Sequence, residues 1–243
     1  MSRRTRLKPK RLVSHVLLGL LAFGGAYFLA MVGVMVGVGF GPSRLLTLWY
    51  GYLSLLLMAL TLLVGPVNLA WRQLSRGRPQ AGAGNPVNLD LRRDMGIWCA
   101  ITGGLHVYYV VGTHSGGRLP FYFSAPSAGG YAPLRSLLDA SNYLGVLATV
   151  LLLSLLALSN DMALRRLKGK RWKLLQRSNY VLFALTVGHT FGYQAVMLRE
   201  PVFVDSTIAL TTGVLLAQAV GITIYQLRSR ARQARQARPA GQA

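Results

Sequence analysis

Long apolar runs, separated by short polar or charged breaks, make up most of this chain. About 20 apolar residues in a helix, rising about 1.5 Å each, are long enough to cross a hydrocarbon core of about 30 Å. The pattern therefore predicts a bundle of six transmembrane helices. They are expected at about residues 12–40, 45–70, 91–112, 137–159, 179–198 and 207–227.

The composition agrees with a membrane protein. Of the 243 residues, 52% are apolar and 14% are charged, whereas a soluble chain carries about 25% charged residues. We therefore expect an all-α membrane protein whose six-helix domain covers residues 12–227. A basic N-terminal segment, residues 1–11, precedes it, and a basic tail of low complexity, residues 228–243, is expected to be a disordered cytoplasmic end.

The net charge of +21 suggests a nucleic-acid partner at first, because strongly basic chains often bind phosphates. The basic residues gather in alternate loops, however, as the positive-inside rule predicts for a helical membrane protein. With both termini in the cytoplasm, 23 of the 27 basic residues lie inside. The four outside are Arg44, Arg118, Arg135 and Arg199. The expected partner is the lipid bilayer, with no nucleic acid.

Two of the four histidines lie at matched depths in helices that enter the membrane from the same side. His106 follows Arg93 by 13 residues, and His189 follows Arg177 by 12. Each imidazole is then about 18 Å from the cytoplasmic end of its helix, past the midplane towards the outer side. A polar side chain inside a membrane helix costs free energy unless it has a partner. The matched depth predicts that the two imidazoles share one site.

Imidazole is a good axial ligand for haem iron, and a b-type haem takes one from each side of its ring without a Cys-x-x-Cys-His attachment sequence. We expect His106 and His189 to bind one haem b, with Arg118 and Arg199 as weaker candidates for binding its propionates. The alternative is that each histidine only forms a hydrogen bond with a neighbouring hydroxyl or carbonyl. Small residues beside both histidines favour a flat macrocycle: Thr102, Gly103, Gly104, Gly188 and Gly192.

The other two histidines are weaker candidates. His15 lies near the inner end of the first helix and is expected to extend to the membrane interface. His114 lies at the outer rim of the third helix, eight residues beyond His106. We expect it to be a loop residue, with a ligand or propionate-binding role as the alternative.

A long outer loop, residues 114–135, follows the third helix. Its many Gly and Pro residues predict an irregular segment, and loops of this length are often functional. Its aromatic cluster, Phe121, Tyr122 and Phe123, is expected in the membrane interface. We expect electrons to leave the protein here.

Two stretches around the histidines resemble the ferric reductase-like transmembrane domain. They are RRDMGIWCAITGGLH (92–106) and LSNDMALRRLKGKRWKLLQRSNYVLFALTVGH (158–189). Within that family the chain is most similar to the haem-binding membrane subunit of the bacterial periplasmic methionine-sulfoxide reductase system. The resemblance implies a multi-pass protein of the bacterial inner membrane that passes electrons across it. It also implies that His106 and His189 bind haem between the third and fifth helices.

The chain departs from its relatives at the inner side. Many relatives carry a further histidine 13 residues before the outer one in the fifth helix, and it binds an inner haem. That position is Gln176 here, and its counterpart in the third helix is Arg93. Neither side chain is a good iron ligand, so the departure predicts a single haem at the outer side.

The electron donor is expected to be a separate molecule. No GxGxxG sequence follows a predicted strand, so the chain offers no flavin or nicotinamide domain of its own. The donor would be a cytosolic flavoprotein docking on the basic loops, or quinol from the bilayer. The acceptor would lie on the outer face and be a reductase, ferric iron or another haem protein.

A non-redox membrane scaffold or transporter is the alternative function. A proton-coupled transporter is expected to bury carboxylates at the midplane. All six acidic residues fall near predicted helix ends instead, which argues against transport: Asp90, Asp94, Asp139, Asp161, Glu200 and Asp205. A scaffold would need neither His106 nor His189, and its purified form would be colourless.

Overall fold

A computed structural model describes most of the chain. The described residues are 9–37, 39–74, 89–114, 120–127, 130–133, 137–159, 162, 166–167, 171, 174–195 and 201–236. In chain order the elements are α1 (Pro9–Gly19), a π-helical turn (Leu20–Gly25), α2 (Ala26–Met35), α3 (Pro42–Leu74), α4 (Leu89–His114), α5 (Pro120–Phe123), β1 (Ser124–Ser127), β2 (Gly130–Pro133), α6 (Leu137–Ala157), α7 (Ser178–Tyr193) and α8 (Pro201–Gln236).

The predicted six-helix membrane bundle is confirmed. Within the described residues, five helices are long and apolar enough to cross a membrane: Arg11–Met35, Pro42–Leu74, Asp90–Thr113, Asp139–Ala157 and Pro201–Arg230. The sixth, α7, has 16 residues and therefore extends about 24 Å. The first span runs through α1, the π-helical turn and α2, so a local widening of the helix interrupts it without ending it.

The last helix is longer than predicted at both ends. The sixth helix was expected at about residues 207–227, but α8 begins at Pro201, where the missing N–H of proline does no harm. The tail was expected to be disordered from residue 228, but α8 continues to Gln236. Arg228 holds it by donating hydrogen bonds to Gln73 Oε1 at 2.7 Å and to the Leu69 carbonyl at 3.4 Å. Apolar periodicity alone could not show this polar support.

The described part of the loop after α4, residues 120–127 and 130–133, is more regular than its composition predicted. A helical turn, α5, leads into an antiparallel pair, β1 and β2, in which Ser124 lies opposite Pro133 and Ser127 opposite Gly130. Both strands are edges of a two-stranded ribbon. Proline is tolerated on such edges because its missing N–H can face outward. The same prolines made the sequence look irregular.

Helix α3 is the centre of the bundle. It contacts α2, α4, α7 and α8, and among the described helices it supplies the largest share of the apolar core. The core includes Leu55, Leu57, Met58, Leu62, Met95, Phe183 and Val214. Because so many helices pack on α3, its residues are well placed to organise a shared site.

A charged cluster attaches the first helix to α4. Asp94 is 1% exposed, and its Oδ1 accepts from Arg11 Nη2 at 2.6 Å and lies 3.2 Å from His15 Nε2. The Trp98 indole N–H, which can only donate, gives its hydrogen to His15 Nδ1 at 3.1 Å. His15 therefore contacts Asp94 and Trp98, two partners that the sequence did not predict. Its position at the membrane interface remains a prediction.

Contacts between neighbouring helices place the N-terminal and C-terminal ends of the helical domain on the same side of the bundle. Helices α3 and α4 are antiparallel, so the end of α3 and the start of α4 lie together. Arg11 contacts the start of α4, and Arg228 contacts the end of α3. Both ends of the helical domain therefore lie at the same end of the bundle. That this end is cytoplasmic remains a prediction from the basic residues.

We predict that Asp94→Ala destabilises the bundle more than Asp90→Ala does. Losing the Asp94 carboxylate leaves the partly buried Arg11 guanidinium without this partner, and breaking such a pair costs about 3 kcal/mol. Asp90 is exposed, so its replacement is the matched control on the same helix. Thermal and denaturant unfolding of the two variants in detergent measures the difference. Equal stability would show that the cluster does not hold α1 in place.

Candidate functional site

The fold brings two histidines from different helices together. His106 on α4 and His189 on α7 have ring centroids 6.0 Å apart, with ring planes at 85°. Both line a cavity of about 310 Å³ between α3, α4, α6 and α7. The expectation that these two imidazoles share one site agrees with this geometry.

Each imidazole is held by a backbone carbonyl of a neighbouring helix. His106 Nδ1 lies 2.9 Å from the Thr47 carbonyl oxygen on α3, and His189 Nδ1 lies 2.7 Å from the Ser141 carbonyl oxygen on α6. A carbonyl oxygen can only accept, so each Nδ1 carries a hydrogen and donates it. A neutral imidazole in this form has its lone pair on Nε2, the atom that remains to bind a metal ion.

The distance between the rings suits a shared metal ion. With a metal–nitrogen distance of about 2 Å and roughly 1.1 Å from nitrogen to ring centre, two imidazoles on opposite sides of one metal have centroids about 6 Å apart. The observed distance is 6.0 Å. No group of three or more His, Cys, Asp or Glu residues that could hold a metal ion occurs in the described part of the chain.

Two glycines that the sequence analysis missed make room for the imidazoles. A Cβ added at Gly51 on α3 would lie 2.8 Å from His106 Nδ1, and one added at Gly145 on α6 would lie 2.7 Å from His189 Nδ1. Each glycine lies four residues after the residue whose carbonyl accepts the hydrogen bond. A sequence signal exists: Thr47-x-x-x-Gly51 and Ser141-x-x-x-Gly145 share a hydroxyl-x-x-x-Gly pattern.

The small residues chosen from the sequence serve mostly to pack helices. Gly103 lines the cavity, although an added Cβ would meet the Leu152 side chain at 2.7 Å. Gly104 faces open space, while Gly188 and Gly192 face side chains of α6. The buried Thr102 hydroxyl donates to carbonyls of its own helix. Only Gly103 therefore fits the expectation that these residues border a macrocycle.

Aromatic side chains line the end of the cavity near α5. Tyr122 and Phe123 of α5 line it together with Tyr193. Tyr193 lies 4.9 Å from the His189 ring centroid, and its hydroxyl hydrogen-bonds to Asn142 Oδ1. The Tyr122 and Phe123 rings therefore line the cavity, and the side chain of Phe121 lies outside the described residues. The expected position of this cluster in the membrane interface remains a prediction. Burial raises the pKa of the Tyr122 hydroxyl, which stays protonated at neutral pH.

The basic residues expected at the site are only partly accounted for. Arg118 and Arg199 lie outside the described residues, as does the side chain of His114. Arg44, at the start of α3, lines the cavity and is exposed. The sequence analysis counted Arg44 as an outer charge but did not assign it to the site, because its helix carries neither histidine.

A buried amide connects three helices beside the cavity. Gln194 is 1% exposed, and its Nε2 lies 2.7 Å from Thr207 Oγ1 and 2.9 Å from the Phe203 carbonyl of α8. The same nitrogen hydrogen-bonds to the Tyr52 hydroxyl of α3. This network fixes the end of α7, four to five residues beyond His189.

The two positions that lie 13 residues before His106 and His189 carry side chains that are poor iron ligands. Gln176 is half-buried, and its Oε1 accepts from Asn179 Nδ2 at 3.4 Å. Arg93 is also half-buried. A guanidinium and an amide occupy the two places where relatives are expected to hold a second haem. The expectation of a single haem remains a prediction.

The sequence profile of a known family covers most of this helical core. The family described as "Ferric reductase like transmembrane component" matches residues 50–187, more than half of the chain. The chain belongs to the ferric reductase-like transmembrane family. The match includes His106 and ends two residues before His189. A membrane electron-transfer role is what this family membership indicates. No curated protein matches the chain.

We predict that Gln194→Leu loosens the packing at the end of α7. The change leaves the half-buried Tyr52 hydroxyl and the buried Thr207 hydroxyl without their shared amide partner, which costs about 1–3 kcal/mol. Gln226→Leu on α8 is the control, because Gln226 is exposed. Thermal unfolding in detergent should rank Gln194→Leu below Gln226→Leu, and the reverse order would contradict the importance of this network.

Proposed function

We propose that the protein is a haem b-binding electron-transfer subunit of a membrane reductase system. His106 and His189 would be the axial ligands of one haem at the outer side of the bilayer. The observation that carries the proposal is the arrangement of the two imidazoles, 6.0 Å apart across one cavity, each anchored through Nδ1 to a helix carbonyl. Metal-binding histidines commonly have this kind of support at the other ring nitrogen.

The residues present fit a haem. A porphyrin supplies four of the six iron ligands itself, so two imidazoles are enough. The cavity volume of about 310 Å³ is at the lower end of the range of about 300–1,000 Å³ for ligand sites. Its walls are largely apolar, with Leu55, Met58, Val110 and Leu182 among the lining residues. Such walls suit the faces of a flat macrocycle and exclude water.

Haem bound here would supply reversible one-electron chemistry. The protein's own groups would set its conditions. Donation from each Nδ1 to a carbonyl makes the imidazole more basic and prevents the ring from turning. Tyr193 and the α5 aromatic residues, Tyr122 and Phe123, restrict water at the outer end. Arg44 offers a positive charge to carboxylates there.

The outer location of the site supports a direction for electron flow. The cavity is bounded by Arg44 and α5, on the side opposite to most of the basic residues. Electrons would enter from a cytoplasmic flavoprotein attracted to the basic inner loops, or from quinol in the bilayer. They would leave through α5 to an acceptor on the outer face. A reductase, ferric iron or another haem protein could be that acceptor.

The resemblance to the methionine-sulfoxide reductase system favours one membrane and one class of electron acceptor. It supports a multi-pass protein of the bacterial inner membrane whose acceptor is a periplasmic reductase. The same resemblance, together with the side chains of Arg93 and Gln176, supports one haem in place of two.

We predict that the purified protein shows sharp α and β bands on reduction with dithionite, at about one haem per chain. His106→Ala and His189→Ala should each lose this low-spin spectrum, because each removes one axial ligand. Both variants should still insert into the membrane. Visible spectra and haem quantitation in detergent measure the effect, and His15→Gln, which changes a histidine outside the cavity, should keep its haem.

The outcomes separate the alternatives. Intact haem in both alanine variants would overturn the ligand assignment. Two haems per chain would overturn the single-haem proposal and direct attention to His15 and His114. A colourless wild-type protein, expressed with ample haem, would overturn the redox function and favour a non-redox scaffold or transporter.

We further predict that Arg44→Gln lowers the haem midpoint potential. A nearby cation stabilises the reduced haem, which carries one more electron, so removing the cation favours the oxidised form. The expected decrease is on the order of tens of millivolts, since Arg44 is exposed and partly screened. Arg72→Gln, at the opposite end of the same helix, is the matched control. Redox titrations that give equal potentials for the two variants would remove Arg44 from the site.

A further inference from the structure

The two histidines are held by the same arrangement, a backbone carbonyl and a glycine, which occurs once in each of two helix pairs. In the α3–α4 pair, the Thr47 carbonyl accepts from His106, and Gly51 lies against the ring. In the α6–α7 pair, the Ser141 carbonyl accepts from His189, and Gly145 lies against the ring. The accepting residue and the glycine are four positions apart in both pairs.

Helix geometry explains why glycine stands at the fourth position. A helical carbonyl oxygen has two lone pairs, and the N–H four residues later uses one of them. The Cα–Cβ bond of that later residue tilts towards the helix N-terminus, which brings its Cβ over the same carbonyl. A glycine there leaves the second lone pair open to a side chain from another helix.

The distances leave no room for a methyl group at either position. A Cβ at Gly51 would lie 2.8 Å from Nδ1 and 3.0 Å from Cε1 of His106. A Cβ at Gly145 would lie 2.7 Å from Nδ1 and 2.8 Å from Cε1 of His189. These rings are anchored and enclosed by neighbouring helices, so an added methyl group must push the imidazole off the carbonyl.

We propose that Gly51 and Gly145 are the positioning residues of the histidine pair. By exposing the Thr47 and Ser141 carbonyls, they select the imidazole form that is protonated on Nδ1 and direct each Nε2 towards the shared cavity. The role of the two glycines in iron ligation rests on the proposed haem function. Their effect on which imidazole nitrogen carries the hydrogen is independent of haem and can be measured without it.

The first experiment compares Gly51→Ala and Gly145→Ala with two control variants. The controls are Gly104→Ala on α4 and Gly213→Ala on α8, because both glycines face open space. Second-sphere changes typically weaken metal binding about 10–100-fold, so we expect haem retention to fall by this factor in the two test variants. The controls should match the wild type in haem content and spectrum.

Ligand loss has a signature that general destabilisation does not reproduce. In each test variant the remaining haem should bind carbon monoxide when reduced, because one axial position has opened, whereas the wild type should not. Free imidazole should restore the low-spin spectrum by occupying that position. Test variants that resemble Gly104→Ala in haem content and carbon monoxide binding would overturn the inference while leaving the haem function intact.

A wild-type protein isolated without haem would contradict the proposed function. A second experiment, which needs no haem, would then test the role of the two glycines. Nitrogen-15 NMR of histidine-labelled protein at about pH 8.5, above the usual histidine pKa of about 6.5, reports which ring nitrogen carries the hydrogen. We expect Nδ1–H for His106 and His189 in the wild type. Gly51→Ala should change only the His106 signals, and Gly145→Ala only those of His189. Nε2–H signals assigned to His106 or His189 in the wild type would overturn the inference.

Discussion

The site depends on two hydrogen bonds, from His106 Nδ1 to the Thr47 carbonyl and from His189 Nδ1 to the Ser141 carbonyl. The acceptors are backbone atoms within long helices, so the direction of each imidazole is tied to the packing of whole helices. In a bilayer core there is no water to replace such a partner. The histidines therefore hold the helix pairs in register, and the helix pairs hold the imidazoles towards one cavity.

The rest of the bundle limits the movement of those pairs. At the outer end, Gln194 connects α3, α7 and α8, and Tyr193 connects α7 with α6 through Asn142. On α4, the Asp94 cluster fixes the first helix. These polar contacts lie on both sides of the site along the bundle. Such contacts restrict sliding between helices more than apolar packing does, because each one is directional.

The arrangement has a consequence for the route of electrons. The histidine pair lies in the cavity that Arg44 and the α5 residues Tyr122 and Phe123 also line. The positive-inside rule predicts that this end faces outward, and transfer from the proposed haem to an outer acceptor would then be short. Transfer from the inner face would be long, because Arg93 and Gln176 offer no iron ligand along it. A quinol that enters from the bilayer would shorten this step, whereas a flavoprotein on the basic loops would have to deliver its electrons across the inner half of the membrane.

The sequence by itself determined the six helices and the pairing of His106 with His189. Both follow from counting residues along one helix: the length of an apolar run predicts a span, and the distance from its basic end predicts the depth of a histidine. It missed the ordered β1–β2 ribbon, the polar end of α8, the cavity-lining Arg44 and the roles of Gly51 and Gly145. Each of these depends on contacts between residues that are distant in sequence. The tertiary structure alone decided that the glycines beside His106 and His189 in sequence mostly pack helices, while glycines on other helices admit the imidazoles. The physical reason is that a side chain meets the backbone of its neighbouring helix, and only packing decides which residue of that helix it meets.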